Sequence, residues 1–284
     1  MTVFSRTVIN NAARESVLRR KPILLGGAGC GFVAQVLEKS GIDLILAYSS
    51  GSFRMDGHPS GCGWQPFGNG NNDTLTLGKR LTRAAPNTPV IAGIGPADPE
   101  RSIAKLLDAV ERNGFSGVTN VPTSGVFSGA FRSTLESSDC GYRAETELVK
   151  ECNSRNVFTV MYAFTEEEAT QMAAAGADMI AAHVRGTAGG SVGIRNVLSL
   201  EEACERTQRI YEAAVRENPS VIVLCHGGPF SAPSTVRIAF EKTSVKGYIG
   251  ASAIERIPSE SAITQAVTRF RGFELGGISG GNRI

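Results

Sequence analysis

Short apolar runs recur along the chain, and each is followed by a stretch whose apolar positions have helical spacing. The runs are apolar without alternation, as in VIVLC at Val221–Cys225, which is typical of parallel strands covered on both faces. Eight such units predict an α/β fold, a single (β/α)8 TIM barrel over 1–275, with an open doubly wound sheet as the alternative. The predicted strands are Ile23–Gly27, Asp43–Tyr48, Val90–Ile94, Gly117–Val121, Phe158–Tyr162, Met179–Val184, Val221–Cys225 and Gly247–Ala251.

Several helices have recognisable start signals. Asp98-Pro99 predicts one start, because proline is tolerated in the first helical turn. Thr165 and Ser199 predict two more, since the acidic residues that follow each favour the positive end of a helix dipole. Before the first strand we expect a further helix, as an amino-terminal extension of the barrel.

The strand–helix units differ in length. The extra length follows strands 2, 4 and 6, in Gly51–Asn72, Thr123–Asp139 and Arg185–Leu198. Long loops in a compact domain are usually binding loops or lids, and these would lie over the carboxyl face, where barrels carry their sites. The end of the chain, 276–284, is predicted to be a flexible tail.

The net charge and the cysteine pattern indicate which partners and which cellular compartment to expect. The formal net charge of +2 gives no reason to expect nucleic acid or a membrane surface as partner. No apolar run could span a bilayer, and the first 20 residues lack the apolar segment of a signal peptide. Six cysteines without a CxxC pair predict free thiols and a cytoplasmic protein. A homo-oligomer formed through Trp64–Phe67 and Phe127–Phe131 is a further expectation.

Two glycine-rich segments resemble known motifs. Gly26–Gly31 follows the first strand but fails the dinucleotide fingerprint, because Phe32 replaces its third glycine. It is either a tight strand-to-helix turn or a set of backbone amides, at Gly27 and Gly29, that face a ligand. Gly189–Gly193 matches G-x-S-x-G, yet it lies inside a long loop and predicts a mobile loop rather than a hydrolase elbow.

The last quarter of the chain carries the strongest site signals. Loops after strands 7 and 8 of barrels commonly bind phosphate, so Gly227, Gly228 and Ser252 are candidates for an anion cradle, the alternative being close packing. His183 and His226 end adjacent strands at the same face, which predicts a pair of catalytic side chains. Arg185 and Glu255 are the catalytic candidates beside them, while the role of His58 is left open.

Loops 2 and 4 add further candidates for substrate binding. Loop 2 supplies Ser50 and Arg54, and loop 4 supplies Asn120, Thr123 and Arg132. A guanidinium suits a carboxylate or a phosphate, although either arginine could equally be a surface cation. The predicted ligand is accordingly a small anionic molecule.

Several of these stretches together resemble the phosphoenolpyruvate-hydrolase-like TIM-barrel family, whose barrel also forms the carboxyl-terminal half of the tomato mosaic virus resistance protein. The resemblance runs from about Ser5 to Phe273, nearly the whole chain. In relatives an acid lies within the loop that here reads Val126–Gly129, whereas this chain has Ser128 there. The matching stretches are Asn120–Gly125, Phe131-Arg132, Leu135-Glu136, Gly141-Tyr142, Tyr162–Phe164, Ala175–Asp178, Leu224–Pro229, Gly250–Ser252 and Glu255-Arg256.

The resemblance implies a hydrolase or lyase that acts on a small phosphorylated or carboxylated acid of the phosphoenolpyruvate, phosphonopyruvate and pyruvate class. His183 and His226 would then serve as acid and base, with Arg185 and the amides of Gly227 and Gly228 on the anion. Barrels that stabilise a pyruvate enolate usually hold Mg²⁺ with several carboxylates.

The chain offers few carboxylates for such a metal. Mg²⁺ is a candidate cofactor, and its candidate ligands are Glu255 and, from farther off, Asp56 and Glu145. Because the acid cluster is small, a non-catalytic barrel that binds a small ligand or a nucleotide in a regulatory role is the alternative function.

Overall fold

In the computed structural model, which describes residues 3–65 and 67–275, eight parallel strands close into a barrel and each pairs with its neighbours in chain order. This confirms the (β/α)8 barrel and excludes the open sheet. The strands are β1 Ile23–Gly27, β2 Leu44–Ala47, β3 Val90–Gly93, β4 Gly117–Thr119, β5 Phe158–Ala163, β6 Met179–His183, β7 Ile222–His226 and β8 Gly247–Gly250. The helices are α1 Arg6–Leu18, α2 Gly31–Lys39, α3 Ser49–Met55, α4 Gly70–Ala84, α5 Ile103–Arg112, α6 Gly129–Ser137, α7 Tyr142–Ser154, α8 Glu166–Ala174, α9 Leu200–Glu217, α10 Pro233–Lys242 and α11 Arg256–Arg271.

Side chains on the two faces of the barrel wall belong to separate apolar clusters, because successive strand residues point in opposite directions. Leu25, Leu46 and Val160 lie in the cluster that fills the barrel interior. Ile45 and Val223 lie in a larger cluster beneath the helices. Both faces are therefore buried, which explains why the strand sequences show no alternation.

The predicted amino-terminal helix closes the amino end of the barrel. Ile9 and Ala13 of α1 are buried in the interior cluster. Arg6 forms an ion pair of 2.8 Å with Asp178, and the Asn10 amide donates to the same carboxylate at 2.6 Å. One end of the barrel is thereby sealed by the chain itself, and the other end is free to form a site.

Two of the three predicted helix starts are confirmed. Thr165 caps α8 by accepting from the Glu168 amide, and Ser199 begins α9 with a reciprocal capping box. The start at Asp98-Pro99 is wrong, because α5 begins at Ile103 with Ser102 as its cap. Asp98 instead accepts from the amides of Glu100 and Arg101 at 2.8 and 3.1 Å, an arrangement that forms a turn before the helix.

The extra length after strands 2, 4 and 6 is where it was predicted, but two of the three segments are partly helical. The segment after β2 contains α3 and the 3₁₀ turn Ser60–Trp64, and the one after β4 contains the 3₁₀ turn Ser124–Val126 and α6. The segment after β6 has no helix between β6 and α9. The predicted tail, 276–284, lies outside the described residues.

The first turn of α3 touches the turn that follows β1. Gly29 and Gly51 meet there so closely that a Cβ atom on Gly29 would lie 2.0 Å from the Gly51 carbonyl oxygen. A side chain at position 29 is sterically excluded by this contact.

Within residues 3–65 and 67–275, we find no helix with the length and apolar character needed to cross a membrane. All six cysteines are free, as predicted.

Candidate functional site

A cavity of about 1690 Å³ opens at the carboxyl ends of the strands. A second cavity, of about 160 Å³, lies at the opposite end beneath α1 and is lined mainly by apolar side chains. The large cavity is where barrels place their sites, and the predicted residues can be compared with its lining. Predicted residues that line it are Ser50, Arg54, Arg132, His183, Arg185, His226 and Ser252.

The two histidines lie side by side at the bottom of this cavity. His183 and His226 are partners in the register of β6 and β7, and their ring centroids are 4.8 Å apart. Tyr162 packs against both rings, at 5.5 and 5.1 Å, and Phe164 packs on His183 at 4.4 Å. The sequence prediction of an adjacent pair is confirmed in position, while a catalytic role stays a prediction.

Backbone contacts fix opposite tautomers on the two rings. Nδ1 of His226 lies 2.8 Å from the Ile249 carbonyl oxygen, which can only accept, so this nitrogen carries the proton. Nδ1 of His183 accepts the Arg185 amide at 3.1 Å, so a neutral His183 carries its proton on Nε2. Neither Nε2 atom has a hydrogen-bond partner among the described residues. One ring can therefore donate into the cavity, and the other can accept.

Both histidines are neutral at physiological pH. Burial lowers the pKa of His226 to about 4, and the neighbouring Arg54 acts in the same direction. Burial also holds the pKa of His183 well below its usual range, with His226 and Arg206 contributing. His226 is therefore unprotonated at Nε2 across the neutral range and can accept a proton there, as a weaker base than a free imidazole.

Arg185 follows β6 in a conformation that residues with a side chain rarely adopt. Its φ is +81°, and its carbonyl accepts the Gly228 amide at 2.9 Å. Its guanidinium is exposed and has no ion-pair partner among the residues that the structure describes. Such backbone strain, of about 1–3 kcal/mol, persists where the surroundings impose it and is often found at functional sites.

Arg206 of α9 is a cation of the site that the sequence did not indicate. It donates to the Phe164 carbonyl at 2.5 Å and lines the cavity half-buried. Burial lowers its pKa, and the positive charge of Arg185 lowers it further. Arg132 also lines the cavity, but the carboxylates of Glu136 and Glu168 already bind it.

The Gly26–Gly31 turn binds a carboxylate of the protein itself. The Gly29 amide donates to Oε1 of Glu255 at 2.5 Å, and Arg54 Nε donates to Oε2 at 2.8 Å. The side chains of Arg54 and Glu255 are completely buried. Glu255 thus occupies the position that an external anion would need on this turn. The Gly29 amide therefore binds a carboxylate of the protein and does not face a ligand.

A second buried network holds loop 4. Glu145 accepts four hydrogen bonds, two of them from the Asn120 amide at 2.5 Å and the Thr123 hydroxyl at 2.7 Å. The other two come from the amide and hydroxyl of Ser124, at 2.7 and 2.8 Å. Burial raises the pKa of Glu145 to about 7 against these donors. Asn120 and Thr123 therefore face the protein interior rather than the cavity.

The three predicted metal ligands are not brought together. Asp56 is exposed at the end of α3, Glu145 is enclosed by its four donors, and Glu255 is bound to Arg54. Across 3–65 and 67–275, no group of three or more His, Cys, Asp or Glu side chains could hold a metal ion. The donors in the cavity therefore do not fit Mg²⁺, which prefers free carboxylate oxygens.

The other predicted binding residues, Gly27, Gly227, Gly228 and Ser252, mainly contact other parts of the chain. Gly227 and Gly228 have φ of +82° and +54°, and the Gly228 amide is used by Arg185. Gly27 lies against Arg54 and the Tyr48 hydroxyl, where a Cβ atom would crowd both. The Ser252 hydroxyl lies 3.3 Å from that of Ser60.

Three further residues complete the comparison with the sequence. The buried Ser50 hydroxyl lacks a partner within the described part of the chain. Ser191 of the G-x-S-x-G match donates to Glu260 at 2.6 Å, so it is not placed as a nucleophile. His58 is exposed and does not line the cavity.

Comparisons with known proteins agree with the fold. The model of a family described as phosphoenolpyruvate hydrolase-like matches residues 8–273. The tomato (Solanum lycopersicum) ToMV susceptible and resistance proteins are 40% identical over 275 residues, covering 96% of this chain and 36% of those proteins. A putative transcriptional regulatory protein of Sinorhizobium fredii is 31% identical over 268 residues, covering 94% of this chain and 44% of that protein. The chain thus spans less than half the length of these relatives.

Solved structures with the same fold include two hydrolases. A phosphonopyruvate hydrolase in complex with oxalate and Mg²⁺ has a TM-score of 0.60 at 14% identity, covering 93% of this chain and 87% of that one. An oxaloacetate acetylhydrolase in complex with its product oxalate has a TM-score of 0.60 at 14% identity, covering 94% and 89%. At such identity these likenesses establish the barrel alone.

Proposed function

Because the chain belongs to the phosphoenolpyruvate hydrolase-like family, we propose that it is a hydrolase or lyase of small phosphorylated or carboxylated acids. The substrate class is that of phosphoenolpyruvate, phosphonopyruvate and pyruvate, and the reaction takes place at the carboxyl face of the barrel. The oxalate bound by two structural neighbours supports a small anionic ligand.

One observation carries this proposal: two neutral histidines of opposite tautomer, with ring centroids 4.8 Å apart, line the same cavity as two arginines that no carboxylate of the described residues pairs with. The guanidiniums of Arg185 and Arg206 hold the anionic group of the substrate. His183 donates from Nε2 to an oxygen on which negative charge develops. His226 accepts a proton at Nε2 from the attacking water or from a substrate hydroxyl.

No step of this proposal passes through a metal. Mg²⁺ is present in the phosphonopyruvate hydrolase complex, but two of the carboxylates that line this cavity, Glu136 and Glu168, already bind Arg132. The third, Glu167, is exposed and accepts from the Gln171 side chain at 3.3 Å. The two guanidiniums supply the positive charge that a cation would otherwise bring to the anion.

The first test is a thermal-shift titration with phosphoenolpyruvate, phosphonopyruvate, pyruvate, inorganic phosphate and ATP, each with and without Mg²⁺. A ligand at 100 times its Kd stabilises the fold by about 2.7 kcal/mol. We expect a selective shift with a three-carbon acid that does not depend on Mg²⁺. No shift with any of these ligands would contradict the proposal.

Product release then separates catalysis from binding. His226→Asn should lower the rate of phosphate or pyruvate release by about 10²–10⁴-fold while the thermal shift persists. His58→Asn is the matched control, because His58 is exposed and outside the cavity. Equal rates in the wild type and in His226→Asn would exclude a general base at this position.

A non-catalytic, regulatory barrel is the second candidate. The observation that favours it is the missing carboxylate cluster within the described residues. This function predicts saturable binding of an anionic ligand, or of ATP alone, with no product formed.

A further inference from the structure

Part of the large cavity is lined by apolar side chains. Trp64 and Val126 line it and pack, half-buried, against the cluster that fills the barrel interior. Phe164, a buried member of that cluster, lines the cavity as well. Together Trp64, Val126 and Phe164 form the apolar lining of the cavity, with one side chain from each of the segments that follow β2, β4 and β5. The polar groups of the site are thus bordered by an apolar surface that a ligand can cover.

Close backbone contacts hold the apolar lining in place. A Cβ atom on Gly125, the residue before Val126, would lie 2.4 Å from Cδ2 of Phe164. A Cβ atom on Gly63, the residue before Trp64, would lie 2.3 Å from the Ser50 hydroxyl oxygen. In both loops the backbone therefore packs directly on the lining of the cavity. A surface that is fixed before binding loses less conformational entropy when a ligand covers it.

Phe164 joins the apolar lining to the polar groups of the site. Its ring centroid lies 4.4 Å from that of His183. Its carbonyl oxygen accepts from Nη2 of Arg206 at 2.5 Å. A ligand whose anionic group binds Arg206 and whose reacting atoms reach His183 is therefore placed beside the Phe164 ring.

The charges of the cavity suit one anionic group rather than several. Arg185 and Arg206 form no ion pair with a carboxylate of the described residues. The other cations of the lining are each paired with an acid: Arg54, Arg132, Arg143, Lys150 and Arg256. A second carboxylate on the ligand would find no free cation and would lie against apolar surface, which is unfavourable.

We propose that the ligand of this cavity is an amphipathic 2-oxo acid, with its carboxylate on the two free arginines and an apolar substituent on the apolar lining. Its 2-oxo oxygen accepts from Nε2 of His183. This ligand class rests on the proposed function, because its head group is that of pyruvate. Ligand sites are mostly apolar, with a few polar groups that fix orientation, and this cavity has that construction. An aromatic substituent suits it best, since aromatic pairs attract each other beyond the area that they bury.

Isothermal titration calorimetry of the full chain with four 2-oxo acids tests the ligand class. Pyruvate, 4-methyl-2-oxopentanoate and phenylpyruvate share one head group and increase in apolar area, whereas 2-oxoglutarate carries a second carboxylate in place of the apolar group. We expect phenylpyruvate to bind about 10–100-fold more tightly than pyruvate, with 4-methyl-2-oxopentanoate between them. Binding of 2-oxoglutarate should be no tighter than that of pyruvate.

Trp64→Ala separates the apolar lining from the anion site. It should weaken phenylpyruvate binding at least about fivefold and change the Kd of pyruvate by less than about twofold, because only phenylpyruvate covers the indole. Phe67→Ala is the matched control and should leave both Kd values unchanged, since Phe67 lies on the same loop, is 70% exposed and does not line the cavity. Circular dichroism checks the fold of both variants. If Trp64→Ala unfolds, Val126→Thr keeps the shape of the side chain and should weaken phenylpyruvate binding selectively.

Three outcomes would overturn the ligand class and leave the proposed function intact. They are equal Kd values for pyruvate and phenylpyruvate, tighter binding of 2-oxoglutarate than of 4-methyl-2-oxopentanoate, and an equal loss of pyruvate and phenylpyruvate affinity in Trp64→Ala. Absence of binding by all four acids would also overturn it. The thermal-shift titration with phosphoenolpyruvate and phosphonopyruvate then shows whether the proposed function fails as well.

Discussion

Two sets of charged and titratable side chains at the carboxyl face of the barrel are used in opposite ways. In the paired set, the chain itself binds the charged groups, as Glu255 binds Arg54 and as four donors bind Glu145. In the free set, which follows β6 and β7, His183, His226 and Arg185 present atoms that no described residue binds. A buried charge is costly unless paired, so the paired set stabilises the fold. The free set can form hydrogen bonds with a ligand.

The largest expected effect on stability comes from removing one partner of an ion pair in the paired set. Glu255→Gln leaves the Arg54 charge buried without a partner and should lower the free energy of unfolding by about 3–5 kcal/mol. Denaturant unfolding measures it. The double variant Arg54→Met/Glu255→Leu removes both charges and should recover most of the loss. A change below about 1 kcal/mol in Glu255→Gln would mean that the pair is not structural.

The contribution of the free set to stability should decrease at acidic pH, because it contains His226. The His226 pKa is about 4 in the folded protein against 6.5 in an unfolded chain, so its stabilising contribution is complete above pH 6.5. That contribution is lost as the pH falls toward 4, because the unfolded state binds the proton first, and it amounts to about 3 kcal/mol. Denaturant unfolding at pH 7.5 and pH 4 should show a smaller pH loss in His226→Asn than in the wild type. Equal losses would place the titration elsewhere.

The smallest effect on folding is expected at the strained cation. Arg185→Gly removes the cost of φ +81° and adds the entropy of glycine, so stability should change by less than about 1 kcal/mol. The thermal shift with an anionic ligand should nevertheless weaken. Arg20→Gly is the matched control, because Arg20 has φ +56° and does not line the cavity. An undiminished shift in Arg185→Gly would remove Arg185 from the site.

The sequence predicted the barrel well because the signals for strands are local. Continuous apolar runs such as Phe158–Tyr162 follow from burial on both faces, and strand order follows from chain order in a closed barrel. The helix start predicted at Asp98-Pro99 is wrong because the Asp98 carboxylate accepts hydrogen bonds from the backbone amides of Glu100 and Arg101 and forms a turn. An Asp-Pro pair is compatible with a turn as well as with a helix start.

The sequence predicted those neighbouring site residues whose separation depends only on strand order. His183 and His226 end adjacent strands, so their proximity follows from the fold. The ion pair of Arg54 with Glu255 joins residues 201 positions apart, and the sequence around neither residue contains a pattern that predicts it. Arg206 was missed because it is one of several charged residues on an amphipathic helix, and only tertiary packing turns it toward the cavity.

The contact between Gly29 and Gly51 has a consequence for protein engineering. The turn after β1 and the first turn of α3 form one interlocking unit, although more than twenty positions separate them in the chain. The clash is with the backbone of residue 51, so no side chain placed at position 51 can relieve it. A mutant library should therefore keep glycine at position 29, whatever it varies elsewhere in the two segments.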